Sequence, residues 1–248
     1  MRRNAKRYPP DFALTKSRQA GTLYDAMIIT YLCGECVKVQ FGETVLAFNP
    51  PSKNSKLKTA RFGADIALIS LNHPDCNGVP TVTHGGRAPF VNQGPGEYEV
   101  KDITVRGFAT ESRYGSEKIP PRALQSKSSV LPYQPAGGKG ESKINTVYLV
   151  TLEGMRLCFL GALSSKELPP KVQEALEEID VLFVPIGGGE VLSPSAAHAL
   201  AVSLEPRLII PIHYEGPGEK DALKTFLKEA GEKQLAPVEK LTIKKKEL

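Results

Sequence analysis

The sequence predicts an α/β domain in which two β-sheets pack face to face and helices lie outside them, a single-domain αββα sandwich. Two patterns predict this class. Short β-rich runs dominate the chain up to residue 160, and helical and strand patterns alternate through the last third. The continuous apolar run at 65–71 is also typical of a strand that is covered on both faces.

The composition is that of an ordinary globular protein. The chain has 248 residues, of which 41% are hydrophobic and 24% charged, and it contains four cysteines. These values exclude a disordered, collagen-like or disulfide-stapled chain. No apolar run reaches the roughly 18 residues of a membrane-spanning helix, and no apolar segment follows the charged N-terminus as in a secretory signal. We therefore expect a cytoplasmic protein without a membrane partner.

The net charge of +5 is concentrated at the N-terminus, where the first 20 residues hold six basic side chains and one acidic side chain. We expect a flexible basic extension at 1–26, followed by one domain at 27–248. A basic arm can bind a phosphate backbone through counterion release, whereas a short basic tail is more often only solvated. The residues that could make a weak nucleic-acid contact are Arg2, Arg3, Lys6 and Arg7.

The first two thirds of the chain predict strands separated by turns and one long loop. A run from 115 to 143 is rich in Pro, Gly, Ser and Lys, which indicates a long surface loop. After it, two apolar runs flank Glu153-Gly154, which is typical of a tight hairpin turn. The predicted strands are 27–32, 37–41, 44–48, 65–71, 89–92, 98–100, 103–108, 145–152 and 155–160.

The last third predicts alternating helices and strands. Ser193-Pro194 is a helix N-cap followed by proline at the first helical position, and it starts a helix that ends near Leu204. Helices are also expected at 164–178 and 221–230, and strands at 181–186 and 208–212.

Eight segments, in this order, resemble small bacterial metallo-β-lactamase-fold proteins that are usually described as zinc-dependent hydrolases. The resemblance covers residues 27 to about 246, and the stretches GPGEYEV and VPIGGG are among its more distinctive parts. The segments are ITYLCGEC, VLAFNP, ADIALISLNHPDCN, GPGEYEV, ITVRGFATES, NTVYLVTLEGMRLCFLGAL, DVLFVPIGGG and PRLIIPIHY.

The resemblance implies a two-metal site, but this sequence departs from the family at several ligand positions. The family motif His-x-His-x-Asp-His becomes Leu71 to Cys76, in which only His73 and Asp75 remain as written. Ser112 replaces a later His and Ala162 replaces the bridging Asp, while His213 matches the last His. Two supporting positions, Asn49 and Gly34, also differ from the usual Asp and His.

The two implied metal positions differ in what they retain. The first would use Leu71, His73 and Ser112, and we expect it to be lost because Leu has no donor and a Ser hydroxyl is a poor zinc ligand. The second keeps Asp75, Cys76 and His213, which could hold one Zn²⁺ with an open position for water.

A structural interpretation of the same residues also stands. Cys76 would then be a small buried residue, His213 a hydrogen-bonded strand-end histidine and Asp75 a turn residue. Cys33 and Cys36 form a CxxC pattern, for which packing is favoured over redox or zinc chemistry.

These observations predict a metallo-β-lactamase-fold hydrolase homologue whose dinuclear site is degraded and which is non-catalytic or weakly active. The alternative is a mononuclear zinc hydrolase of an ester, lactone or phosphodiester. In it His73 orients or deprotonates the water, and the ion is bound by Asp75, Cys76 and His213. A further alternative is a nucleic-acid-associated protein acting through the basic arm. The first hypothesis needs no cofactor and the second needs one Zn²⁺; the small-molecule or protein partner stays unidentified.

Overall fold

The computed structural model describes residues 26–58, 61–116, 142–215, 218–232 and 235–248. The basic residues at the N-terminus and most of the predicted loop at 115–143 lie outside these ranges. Within the described part of the chain, none of the helices has the length and apolar character needed to cross a membrane.

Twelve strands and three α-helices are formed by the described residues. The strands of the first half are β1 (Met27–Cys33), β2 (Cys36–Phe41), β3 (Thr44–Phe48), β4 (Ile66–Ile69), β5 (Phe90–Gln93) and β6 (Gly96–Val100). Those of the second half are β7 (Ile103–Ser112), β8 (Lys143–Leu152), β9 (Met155–Phe159), β10 (Val181–Pro185), β11 (Leu208–Ile212) and β12 (Leu241–Ile243). The helices are α1 (Pro170–Ala175), α2 (Pro194–Leu204) and α3 (Ala222–Glu229).

The strands form two mixed six-stranded sheets. The first has the order β12-β1-β2-β3-β4-β5 and the second the order β11-β10-β9-β8-β7-β6. In the first sheet β4 pairs in parallel with β3 and β5, and in the second β10 pairs in parallel with β9 and β11. The predicted sandwich of two sheets is confirmed.

The main core lies between the two sheets. Apolar side chains of both sheets alternate inward there, and their centre is aromatic. The Phe48 ring stacks on the Phe159 ring at a centroid distance of 4.8 Å, and Phe183 lies 5.9 Å from Phe48. A second core lies where the helices α1, α2 and α3 pack against the outer face of the second sheet.

Most predicted elements are present, with shifts at their ends. Ser193 caps α2 as predicted, because its side-chain oxygen accepts a hydrogen bond from the Ala196 N–H at 3.3 Å. The predicted helix at 164–178 is wrong over most of its length, since α1 covers only Pro170–Ala175. Pro169 and Pro170 explain this difference, because they have no N–H to donate and restrict the residues before them.

Candidate functional site

A polar cluster lies where several chain segments end near one another. It combines the turn between β1 and β2, the segment after β4, the residues that follow β7 and the end of β11. At its centre is Glu35, whose side chain is only 1% exposed. Isolated buried carboxylates are costly, so the partners of Glu35 decide what this residue does.

Glu35 is held by hydrogen bonds from two other buried side chains. Nδ1 of His213 lies 2.8 Å from Oε1 of Glu35, and the side-chain amide of Asn49 donates to Oε2 at 2.7 Å. The Asn49 amide also donates to the Ser70 hydroxyl at 2.7 Å, and its oxygen accepts from the Ser70 N–H. Because a carboxylate accepts hydrogen bonds, His213 Nδ1 is the donor in this pair.

Two residues of this network have a backbone conformation that is unusual for side chains other than glycine. Asn49 has φ 41° and His213 has φ 57°, both in the left-handed region. The His213 N–H donates to the Gly34 carbonyl at 2.6 Å, which holds the strained backbone. A Cβ at Gly187 would lie 2.3 Å from the His213 carbonyl oxygen, so this close approach requires glycine. Such strain is characteristic of functional sites.

Asp75 forms the second half of the cluster, and both of its carboxylate oxygens have hydrogen-bond donors. The Tyr114 hydroxyl donates to Oδ2 at 2.6 Å, and the Ser55 hydroxyl donates to Oδ1. His73 Nδ1 accepts the Asp75 N–H at 3.2 Å and lies 3.5 Å from Oδ2. Burial lowers the pKa of His73, although the Asp75 carboxylate acts in the opposite direction.

The Tyr114 ring separates the two halves of the site. Its centroid lies 4.8 Å from the His73 ring and also 4.8 Å from the His213 ring, with edge-on geometry in both pairs. Tyr114 is 6% exposed. Burial and the neighbouring Asp75 carboxylate raise the pKa of its hydroxyl, so the phenol keeps its proton and remains a donor.

Three positions at which the family's metal-binding residue is replaced lie beside Tyr114. A single cluster of buried residues contains Leu71, Cys76, Tyr114, Ala162 and Val191. Ser112 is fully buried, and its hydroxyl accepts the Tyr114 N–H at 3.0 Å. The structure therefore brings the positions of the implied metal ligands together, and it surrounds them with apolar surface.

The cysteines are placed as small buried residues. Cys76 is 1% exposed, and burial together with the Glu35 carboxylate raises its pKa well above the usual thiol range. Cys33 and Cys36 face each other across the β1–β2 hairpin as free thiols. Burial raises the pKa of Cys33 to about 11. These environments suit packing better than thiolate chemistry.

Sequence reasoning missed the two residues that organise this site. Glu35 lies next to Gly34, where the departure from the family pattern was noted, and a lone acidic residue between two cysteines was the available signal. Tyr114 lies two residues after Ser112, and nothing in its local sequence indicates its role. The predicted residues His73, Asp75 and His213 all belong to the cluster, whereas the basic residues of the N-terminal arm lie outside the described ranges.

The fold and the position of this site define a metallo-β-lactamase-type protein. Residues 28–213 match the family model described as the beta-lactamase superfamily domain. The chain therefore belongs to this superfamily, and the predicted membership is confirmed.

Solved structures give the same fold. A protein of Thermotoga maritima, described as a Zn-dependent hydrolase of the metallo-beta-lactamase superfamily, is 26% identical, and the match covers 82% of this chain and 84% of that chain with a TM-score of 0.57. Igni18, a metallo hydrolase of Ignicoccus hospitalis, is 17% identical over 88% and 99% of the two chains, with a TM-score of 0.56. A Parabacteroides distasonis protein described as a metal-dependent hydrolase has 18% identity, coverage of 83% and 90%, and a TM-score of 0.56.

The metal that these neighbours are described as using does not fit the residues present here. Leu71 and Ala162 offer no donor atom, and Asp75 already accepts two hydroxyl groups. Within residues 26–58, 61–116, 142–215, 218–232 and 235–248, no group of three or more His, Cys, Asp or Glu side chains is placed to hold an ion. The single-ion set of Asp75, Cys76 and His213 stays a prediction.

Proposed function

We propose that this protein is a metallo-β-lactamase-fold homologue that no longer performs metal-dependent hydrolysis and that has kept the fold for a binding or structural role. The observation that carries this proposal is the contact between Tyr114 and Asp75. The carboxylate that remains from the metal motif receives the Tyr114 hydroxyl at 2.6 Å instead of facing an open coordination position.

Metal-assisted hydrolysis requires a bound ion with a free position for an activated water. Here the Tyr114 hydroxyl contacts Asp75, and Tyr114 packs in one buried cluster with Leu71 and Ala162. His213 does not compensate for this. His213 is 5% exposed and paired with Glu35, so it is not accessible to a substrate in solution.

The mononuclear zinc hydrolase remains the competing hypothesis, and the donor set argues against it. Two of its three ligands would have to give up their present partners: Asp75 two hydroxyl groups and Cys76 its proton. Each exchange removes a buried hydrogen bond or charges a buried thiol, and both carry a free-energy cost.

A hydrolase assay with controlled metal tests the proposal. The protein is assayed against ester, lactone and phosphodiester substrates as purified, with added Zn²⁺, and after EDTA treatment. We expect rates that do not differ among the three conditions and that stay at the level of the Asp75→Asn variant, which serves as the matched control. Turnover that falls with EDTA, returns with Zn²⁺ and is lost in Asp75→Asn would contradict the proposal.

A further inference from the structure

The side chain of Tyr114 makes the contacts that connect the separate segments of the site. It bonds Asp75, which follows β4, and packs edge-on against His213, which follows β11. Tyr114 itself follows β7, whose last residue, Ser112, accepts the Tyr114 N–H. One side chain thus ties together the ends of three strands that are distant in sequence.

The residue after Tyr114 fixes its position. The Gly115 N–H donates to the Glu190 carboxylate at 2.9 Å, and the Lys143 ammonium donates to the Gly115 carbonyl at 2.5 Å. Gly115 has φ 62°, and a Cβ at this position would lie 2.6 Å from the His73 ring. Glycine is therefore required there, and the segment seats the Tyr114 ring between the two imidazoles.

We infer that Tyr114 takes the structural place of a metal ion in this protein: its hydroxyl is the internal cross-link to Asp75, and its ring closes the space between His73 and His213 to cations. The inference rests on the proposed function and explains how the site remains ordered without an ion. A bound ion would neutralise the Asp75 carboxylate and hold the strand ends together. The Tyr114 phenol, which donates to the same carboxylate, supplies both effects through a charge-assisted hydrogen bond.

The spacing of His73 and Asp75 indicates how Tyr114 keeps a metal ion away from them. Two ligands of one tetrahedral Zn²⁺ ion, each bound at about 2.1 Å, lie about 3.4 Å apart. His73 Nδ1 and Asp75 Oδ2 are 3.5 Å apart. This pair has the spacing of two ligands of one ion, but the Asp75 N–H occupies the lone pair of His73 Nδ1 and the Tyr114 hydroxyl occupies the Asp75 oxygen.

A double-mutant cycle tests the cross-link. Tyr114→Phe keeps the ring and removes only the hydroxyl, and we expect it to lower the melting temperature by about 3–12 °C. In the background of Asp75→Asn the same substitution is expected to cost less than half as much, because the charged acceptor is absent. Equal losses in the two backgrounds, or no loss in either, would overturn the cross-link.

A cobalt titration tests whether the Tyr114 ring excludes cations from the space between His73 and His213. Tyr114→Ala and Tyr114→Phe are each titrated with Co²⁺ alone, and binding is measured by calorimetry and visible absorption. Circular dichroism verifies that each variant is folded. We expect Tyr114→Ala to bind one equivalent at least about tenfold more tightly than Tyr114→Phe, and to lose this binding when Asp75→Asn is added. Equal affinity in the two variants would overturn the closure.

If Tyr114→Ala does not fold, the cycle with Tyr114→Phe still decides the inference. The two proposals also fail separately: metal-dependent turnover by the unmodified protein contradicts the proposed function, whereas an additive cycle contradicts only the role given to Tyr114.

Discussion

Removing the Glu35 carboxylate is predicted to destabilise the protein strongly. In Glu35→Ala, the His213 Nδ1 donor loses its carboxylate acceptor at 2.8 Å, and His213 is only 5% exposed. The Asn49 amide also loses a bond, but it retains its 2.7 Å bond to Ser70. Two buried N–H donors are therefore left unpaired, one on His213 and one on Asn49, at a cost of about 1–3 kcal/mol each.

We take about 3 kcal/mol as the expected loss, which corresponds to a melting temperature lowered by about 6–12 °C for a domain of this size. Urea unfolding followed by circular dichroism measures it directly. Glu35→Gln is the matched control, since it preserves an acceptor oxygen and nearly the same volume, and it should cost less than half as much. A loss below about 0.5 kcal/mol for Glu35→Ala, or equal losses for the two variants, would refute Glu35 as the anchor of the site.

Two further predictions concern charge and thiol reactivity. Burial acts to raise the pKa of Asp65, but hydrogen bonds from Lys101 at 2.7 Å and the Val45 N–H at 3.0 Å outweigh it, so the pKa is lowered overall. This carboxylate therefore stabilises the fold above the ordinary Asp pKa of about 3.9, and its contribution is lost as the pH falls through the lower folded-state pKa. Asp65→Asn should reduce the free energy of unfolding, measured in urea, more at pH 7 than at pH 3. An equal loss at both pH values would contradict this prediction. All four cysteines are buried, and burial raises the pKa of Cys33 to about 11. A disulfide reagent at pH 8 should therefore label the native protein far more slowly than the denatured protein. One thiol of the native protein that reacts at once would contradict this prediction.

The parts of the fold that could be predicted from sequence are those that local pattern determines. The β1–β2–β3 meander, the hairpin at Glu153-Gly154 and the capped helix α2 follow from apolar periodicity, turn residues and an N-cap, all of which act within a few residues. The edge strand β12 was not predicted, because its three residues form a strand only through pairing with the distant β1. No local sequence pattern indicates that β12 pairs with β1.

The same reasoning explains which site residues were found. His73, Asp75 and His213 were indicated by the resemblance of their segments to the family's metal motif. The partners of these residues come from elsewhere in the chain: Glu35 is 178 residues from His213, and Tyr114 is 39 residues from Asp75. Side chains that replace an ion follow no fixed spacing, so only the folded structure reveals them.

If this site has too few free donors to retain an ion, as we propose, the protein is purified without one, and its metal content is the measurement that decides. The full chain is purified without chelator from cells grown with added zinc and manganese, and its metals are determined by inductively coupled plasma mass spectrometry. We expect far less than one equivalent of any transition metal and a melting temperature that does not change with EDTA. One or two tightly held equivalents, with a melting temperature that falls when they are removed, would contradict it.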